Sequence, residues 1–367
     1  MTAVAMSVRS RGRLATVAAV AAAGALAVLT LLGAASAPPS RAETAARTAA
    51  RAFLARYVDP NGRVVRRDQG GDTVSEGQSY ALLLAQVAGD KGTFARVWKW
   101  TRDHLQRRDG LLAYLADAHT VRDPMPASDA DLVTAWALTR AGGAYKHEGQ
   151  AIAAAVLRHE TASRGGRKML AAGPWATGSP VTLNPSYWAL PAVEGLHGQG
   201  AFARLEPDSV ALTRKLTGGG RLLPPDWARV DGGRARPTPA PGGQVPAVQY
   251  GPDAQRVTVW LAAACDRSAR HLAASWWPVL SRPGRAGALA LDQSGSVRDG
   301  TPSVLAYVAA AASAGAAGRS GDRDRLLARA AGVDAAHPTY YGSAWLALGR
   351  ALLTTRLLGG CANGGSA

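Results

Sequence analysis

Cysteine is almost missing from this 367-residue chain, with Cys265 and Cys361 the only two. Two thiols exclude a disulfide-stapled scaffold and a cysteine-rich zinc module; one disulfide or two free thiols stay open. Acidic residues are also few, 26 Asp+Glu against 42 Lys+Arg, for a net charge of +16. That excess invites a nucleic-acid partner, but the chain has no long Lys/Arg run, no zinc-finger spacing and no RNP pattern. Its arginines stand singly or in pairs such as Arg66-Arg67 and Arg107-Arg108. A solvated basic surface is expected, and no nucleic acid. Alternating β-patterned runs are scarce, which argues against a βαβ protein. The seven histidines show neither H-x-x-x-H nor H-E-x-x-H spacing, so no metal and no cofactor are expected. With 47% hydrophobic and 19% charged residues, the chain has apolar material for a large core and is not disordered. Phe is rare, three against ten Trp and nine Tyr. Those two side chains pair an apolar face with a polar handle, which suits partly wet surfaces.

Residues 1–37 read as a targeting segment. Arg9, Arg11 and Arg13 precede an uncharged Ala/Leu/Val-rich run from Leu14 to Ala37, which ends in Ala35-Ser36-Ala37. The apolar run approaches the roughly 20 residues that span a bilayer, so a cleaved signal and an uncleaved anchor both fit. Either one exports the rest of the chain, and a membrane enters only through that anchor.

The remainder reads as helices punctuated by Gly/Pro/Asp loops. Helices are expected over Ala45–Tyr57, Ser79–Ala88, Thr93–Leu105, Asp131–Ala141, Gln150–His159, Val257–Cys265, Val304–Ala314 and Ser343–Leu358, with a turn at Asp59-Pro60-Asn61-Gly62. Residues 218–244, rich in Gly, Pro and Arg, read as a long loop.

Three carboxylates open helices. Ser75 with Gln78 fits an S-x-x-Q capping box, which puts Glu76 in a first turn. Ser128 with Asp131 repeats the pattern and gives Asp129 the same position. Asp253 follows Pro252, a residue favoured at helix starts. Each alone fits a dipole partner. Three such sites among small residues and aromatics suggest acid and base roles divided between carboxyls in different environments.

The segments TVSEGQSYALLLA (73–85), ASDADLVTAWALTRAG (127–142), LNPSYWALPA (183–192), LLPPDWA (222–228), PDAQRV (252–257) and YYGSAWLAL (340–348) resemble, in order, the motifs of glycoside hydrolase family eight, the secreted endo-β-1,4-glucanases and their relatives. The resemblance implies an all-α (α/α)6 barrel with a cleft at one end, and inverting hydrolysis of a β-1,4-linked polysaccharide. By motif position Glu76 is the general acid, Asp129 binds the sugar at the point of cleavage, and Asp253 is the base. Tyr187, Trp136, Trp188, Trp227, Asp131 and Arg256 are the candidate substrate contacts, with some of the Trp residues expected in the core. Residues 38–358 would form one catalytic domain and 359–367 a flexible tail, in a monomer. Chitosan, xylan or mixed-linkage glucan are alternative substrates, and a silent carbohydrate-binding surface protein is the alternative of another class. One departure bears on Asp253. The family's base directly follows a Tyr, whereas here Gly251-Pro252 separates Tyr250 from Asp253, and Trp260 stands where a second basic residue is expected. Asp131 and Asp226 are the next candidates for the base.

Overall fold

The computed structural model describes residues 38–243, 245–359 and 361. The targeting segment expected over 1–37 lies outside them. Among the described residues no helix is long and apolar enough to cross a membrane.

From Arg41 onward the chain lays down helices in pairs. They are α1 (Arg41–Tyr57) with α2 (Ser75–Ala88), α3 (Lys91–Leu105) with α4 (Ser128–Ala141), and α5 (Gly143–His159) with α6 (Leu190–Gly195). Next come α7 (Phe202–Leu216) with α8 (Pro252–Ala263), then α9 (Arg267–Ser275), the single turn α10 (Trp277–Leu280) and α11 (Val304–Ala316). The last pair is α12 (Ser320–Ala336) with α13 (Tyr340–Thr354).

The two members of a pair differ in sequence character. In α2, α4, α8, α11 and α13 nearly every position is buried, as expected of helices that are apolar or small-residued all round. Their partners α1, α3, α5, α7, α9 and α12 bury one stripe and expose the rest. The inner helices touch in the cycle α2, α4, α6, α8, α11, α13 and back to α2, and each outer helix packs on its inner neighbours. This closed double ring is an (α/α)6 barrel.

The connections are unequal, and that inequality builds the site. Inner helices lead to outer ones through short links, such as the single residue Gly142 between α4 and α5. Outer-to-inner connections, apart from the three residues 337–339 before α13, are longer and hold every strand of the described residues, β1 (Thr73–Val74), β2 (Leu115–Ala116), β3 (Val121–Asp123), β4 (Thr161–Arg164), β5 (Arg167–Leu170), β6 (Val181–Leu183), β7 (Trp227–Asp231), β8 (Arg234–Thr238), β9 (Ala288–Leu291) and β10 (Val297–Pro302), in four small antiparallel sheets. Irregular structure therefore gathers at the N-terminal ends of the inner helices. The expected turn closes there with Gly62 N–H donating to Asp59 C=O, at φ +96°, a conformation glycine tolerates.

Several expectations need correction. Residues 218–244 are not one long loop. Trp227–Asp231 (β7) and Arg234–Thr238 (β8) form a hairpin that adds to Val181–Leu183 (β6). Helices α7, α9 and α12 were not among those expected. The capping boxes do not form either. The N-cap residues are Val74 and Ala127, and neither helix has a side-chain cap. Gln78 instead spans the helix ring, accepting from Val64 N–H at 2.6 Å and donating to Thr101 Oγ1 at 2.7 Å. Ser128 Oγ donates to Ala171 C=O at 2.6 Å. Cys265 and Cys361 form a disulfide, which fixes position 361 within the segment expected as a flexible tail.

Beneath the N-terminal face, Trp345 of α13 is fully buried. It packs edge-on against Tyr80 of α2 and Trp260 of α8, with centroids 5.5 and 5.2 Å away. Such pairs contribute about 0.5–1.5 kcal/mol each beyond area burial. They tie α13 to α2 and α8, whose first turns carry Glu76 and Asp253.

Candidate active site

Glu76, Asp129 and Asp253 are each the second residue of an inner helix, and Tyr341 is the second residue of another. Barrel closure therefore points residues far apart in sequence at one spot. There they meet Arg256, one turn into α8, whose side chain is 3% exposed. Its Nη1 donates to Glu76 Oε1, to Asp129 Oδ2 at 3.0 Å and to Tyr80 Oη at 3.1 Å. Its Nη2 donates to Asp253 Oδ1 at 2.7 Å, and the guanidinium lies 5.5 Å over the Tyr187 ring. Tyr80, four residues along α2, donates to Glu76 Oε1 at 2.9 Å. Asn184 Nδ2 donates to Asp253 Oδ2 at 2.9 Å, while its own oxygen accepts from Ser186 N–H and Oγ.

One buried cation faces three carboxylates, of which Asp129 is buried and Glu76 and Asp253 are partly exposed. Burial, together with the charges of Glu76 and Asp253, pushes Asp129 up to about 7 against the pull of Arg256. The carboxyls also differ in access, with side-chain exposures of 9% for Asp129, 19% for Glu76 and 32% for Asp253. The arrangement offers one carboxyl held close to neutrality and two with a path to water.

The geometry accounts for the unusual approach to Asp253. Gly251, the N-cap of α8, has no side chain to cap with, and Pro252 has no N–H to be capped. Asp226, in the PPDW segment, supplies the cap from outside. Its Oδ1 accepts from Gly251 N–H at 3.0 Å and Ala254 N–H at 2.7 Å, and its Oδ2 accepts from Gln249 Nε2 at 2.9 Å. A Cβ at position 251 would lie 2.5 Å from Asp226 Oδ2, so a side chain there would press on the capping carboxylate. Burial and Asp253 raise Asp226 to about 7, against these three donors. Tyr250 is buried, with its hydroxyl 3.0 Å from Thr258 Oγ1.

Of the sequence-based candidates, Glu76, Asp129, Asp253, Arg256 and Tyr187 meet at the site. Trp227 joins them through an edge contact with Tyr187 at 6.1 Å. Three others do not reach it. Trp136 is buried in α4 with its indole against Gly195. Trp188 is buried with its N–H on Leu170 C=O at 3.0 Å. Asp131 is fully buried, accepting from Leu112 N–H at 2.8 Å. Sequence reasoning missed Tyr80, Asn184, Tyr341 and the capping role of Asp226. Tyr80 was findable, because it lies one turn from Glu76 on the same helix face. Tyr341 shares the second-residue position of the three acids.

Two further carboxyls, Asp131 and Glu160, the C-cap residue of α5, are fully buried, and Asp131 Oδ2 and both oxygens of Glu160 accept no hydrogen bond. Burial raises both well above the usual carboxylate range, and the charge of Asp131 raises Glu160 further. In the folded protein these carboxyls therefore hold on to protons.

The fold is a helical barrel whose inner helices bring three carboxyls to one arginine. The family model for glycosyl hydrolases family 8 matches residues 24–349, and the chain belongs to that family. It is 30% identical over 250 residues to an endoglucanase of Cellulomonas uda, covering 63% of this chain and 67% of that one. It is 33% identical over 193 residues to a probable endoglucanase of Novacetimonas hansenii, covering 49% of this chain and 56% of that one. The chain thus spans between about half and two thirds of these relatives' lengths. The endo-β-1,4-glucanase structure from Acetobacter xylinum superposes with a TM-score of 0.69 at 25% identity, over 85% of this chain and 99% of that one.

Two outcomes follow for the supporting residues. Asp226→Ala strands two buried N–H donors at about 1–3 kcal/mol each. Urea denaturation should show a lower midpoint with an unchanged slope, and an unmoved midpoint would contradict the capping role. Glu160→Gln keeps the shape but cannot ionise. A carboxyl raised in the folded state contributes stability below its unfolded value of about 4.3. That stability is lost as pH rises through the folded value. The stability of the variant relative to the wild type should therefore climb with pH above about 4.3. A pH-independent difference in melting temperature would contradict the upward shift of Glu160.

Proposed function

We propose that this protein is an exported endo-acting hydrolase of β-1,4-glucan that works with inversion, Glu76 serving as general acid and Asp253 as base. The observation that carries the reading is the convergence of Glu76, Asp129 and Asp253 on Arg256 at the mouth of a helical barrel. An oxocarbenium-like transition state needs a proton for the leaving oxygen and, on the opposite face, a carboxylate that activates water. Glu76 and Asp253 hold different nitrogens of the guanidinium, Nη1 and Nη2, so Arg256 stands between them. Donation by Glu76 requires Oε1 to turn from Nη1 to the glycosidic oxygen, with Tyr80 Oη still within reach. Asp253 is the most exposed of the three and is aimed by Asn184 and Arg256, which suits a group that must meet water. Asp129, the least exposed and held near neutrality, suits a hydrogen bond to the sugar at the cleavage point. Tyr187 and Trp227 supply aromatic faces beside it.

Export is supported by the basic-then-apolar run of residues 9–37 and by the Cys265–Cys361 disulfide, a bond that persists in oxidising compartments. The names of the relatives favour a glucan over chitosan or xylan, and a polysaccharide panel decides among them.

Glu76→Gln should leave the fold intact and reduce hydrolysis of unactivated glucan by about 10²–10⁴-fold, the usual share of general acid catalysis. An aryl glycoside with a good leaving group should partly rescue Glu76→Gln but not Asp253→Ala. Azide should rescue Asp253→Ala by supplying a nucleophile that needs no base. Near-normal turnover by either variant on glucan would remove that residue from its role.

A further inference from the structure

The hairpin β7–β8 carries a charge arrangement that the fold does not explain. Its register places Arg229 directly opposite Arg236, and Asp231 opposite Arg234. Ala228 and Val230 are buried while Arg229, Asp231, Arg234 and Arg236 are exposed, so these four share the outward face. Side chains directly opposite in an antiparallel pair stand about 4.5–5.5 Å apart at Cβ, and like charges there are destabilising. Among the described residues no carboxylate lies within ion-pair distance of Arg229, Arg234 or Arg236. Some surface arginines pair with carboxylates, among them Arg66 with Asp72 and Arg122 with Asp117, and others stand free as single charges rather than opposite one another. The hairpin tip is not free-standing, since Gly233 packs against Gly165 of the neighbouring hairpin β4–β5 (Thr161–Arg164 and Arg167–Leu170).

The same face begins at the cleft. Trp227 is the first residue of β7, directly opposite Thr238, and it contacts Tyr187 beside Arg256. Arg229 follows Trp227 two residues on, a rise of about 6–7 Å along the strand. A chain that stacks on Trp227 as it leaves the catalytic carboxyls therefore passes next over the Arg229–Arg236 pair. Guanidinium groups bind carboxylate and phosphate oxygens through paired N–H donors.

From this juxtaposition we infer that the outer face of β7–β8 binds anionic substituents on the glucan chain, so that the enzyme favours an acidic glucan over a neutral one. The inference rests on the glucanase reading for the identity of the chain, and it commits to carboxylate- or phosphate-bearing sugars as the occupant. Bound anions also offset the like-charge pair, which accounts for a hairpin that carries it at a cost.

The test compares wild type with Arg229→Gln/Arg236→Gln, neither residue being part of the catalytic cluster. Binding is read by retardation in native gels containing carboxymethyl cellulose or neutral hydroxyethyl cellulose, and hydrolysis of both polymers is followed separately. The variant should bind carboxymethyl cellulose about two- to tenfold more weakly, the scale of two exposed ion pairs, and bind the neutral polymer unchanged. Wild-type binding to the acidic polymer should weaken with added salt more steeply than that of the variant. The melting temperature of the variant should hold or rise, because the like charges are gone. Equal binding of the acidic polymer by both proteins overturns the inference, as does an equal loss on both polymers. A loss seen for single-stranded DNA but not for carboxymethyl cellulose assigns the face to nucleic acid and also overturns it. If wild type hydrolyses neither polymer, the glucanase reading fails, and the gel comparison still decides whether the face binds anions.

Discussion

One buried guanidinium reaching three carboxyls sets the terms for the rest of the structure. Arg256 is almost completely desolvated and finds Glu76, Asp129 and Asp253 within hydrogen-bond range. Taking charges out of water costs several kcal/mol per ion, and only close opposite charges and hydrogen bonds offset it. A single cation leaves the negative side in excess, and Asp129, the deepest carboxyl, takes up the difference by moving toward neutrality. Helix N-termini favour negative charge as well. The fold supplies them by pointing the N-terminal ends of α2, α4 and α8 at the same point.

The demand for rigidity spreads outward from there. Asp253 has to be held although its helix begins with Gly251-Pro252, and Asp226 supplies the cap from another segment. Glu76 is aligned by Tyr80, which rests on Trp345 in the aromatic core. The long outer-to-inner connections supply Asn184, Tyr187 and Asp226 to the site, and links at the other end of the helices are short.

Much of this was legible in the sequence because the signals were local. An acid at the start of an apolar, small-residued run marks an inner helix, and Glu76, Asp129 and Asp253 all fit that description. What failed depended on distant partners. Ser75 and Ser128 satisfy a capping pattern on paper, yet each begins its helix, and Gln78 and Ser128 hydrogen-bond to neighbouring segments instead. Trp136 and Trp188 look like Trp227 in sequence, and only burial separates the packing indoles from the one beside the cleft. The hairpin over residues 227–238 was hidden by Arg, Ala and Pro in place of β-branched residues, although Gly232-Gly233 is a usual hairpin turn. The pairing of Cys265 with Cys361 could not be read from two positions alone, because both a bond and free thiols were compatible with them.

The central claim is that Glu76 and Asp253 stand on opposite sides of the scissile bond with room for a water between them. Carboxyls about 6.5–9.5 Å apart accommodate that water and give inversion, whereas about 5–5.5 Å gives a covalent intermediate and retention. Proton NMR of freshly released product, recorded before mutarotation, reads the outcome directly. The account predicts the α-anomer first from a β-1,4-glucan. A β-anomer appearing first would contradict it.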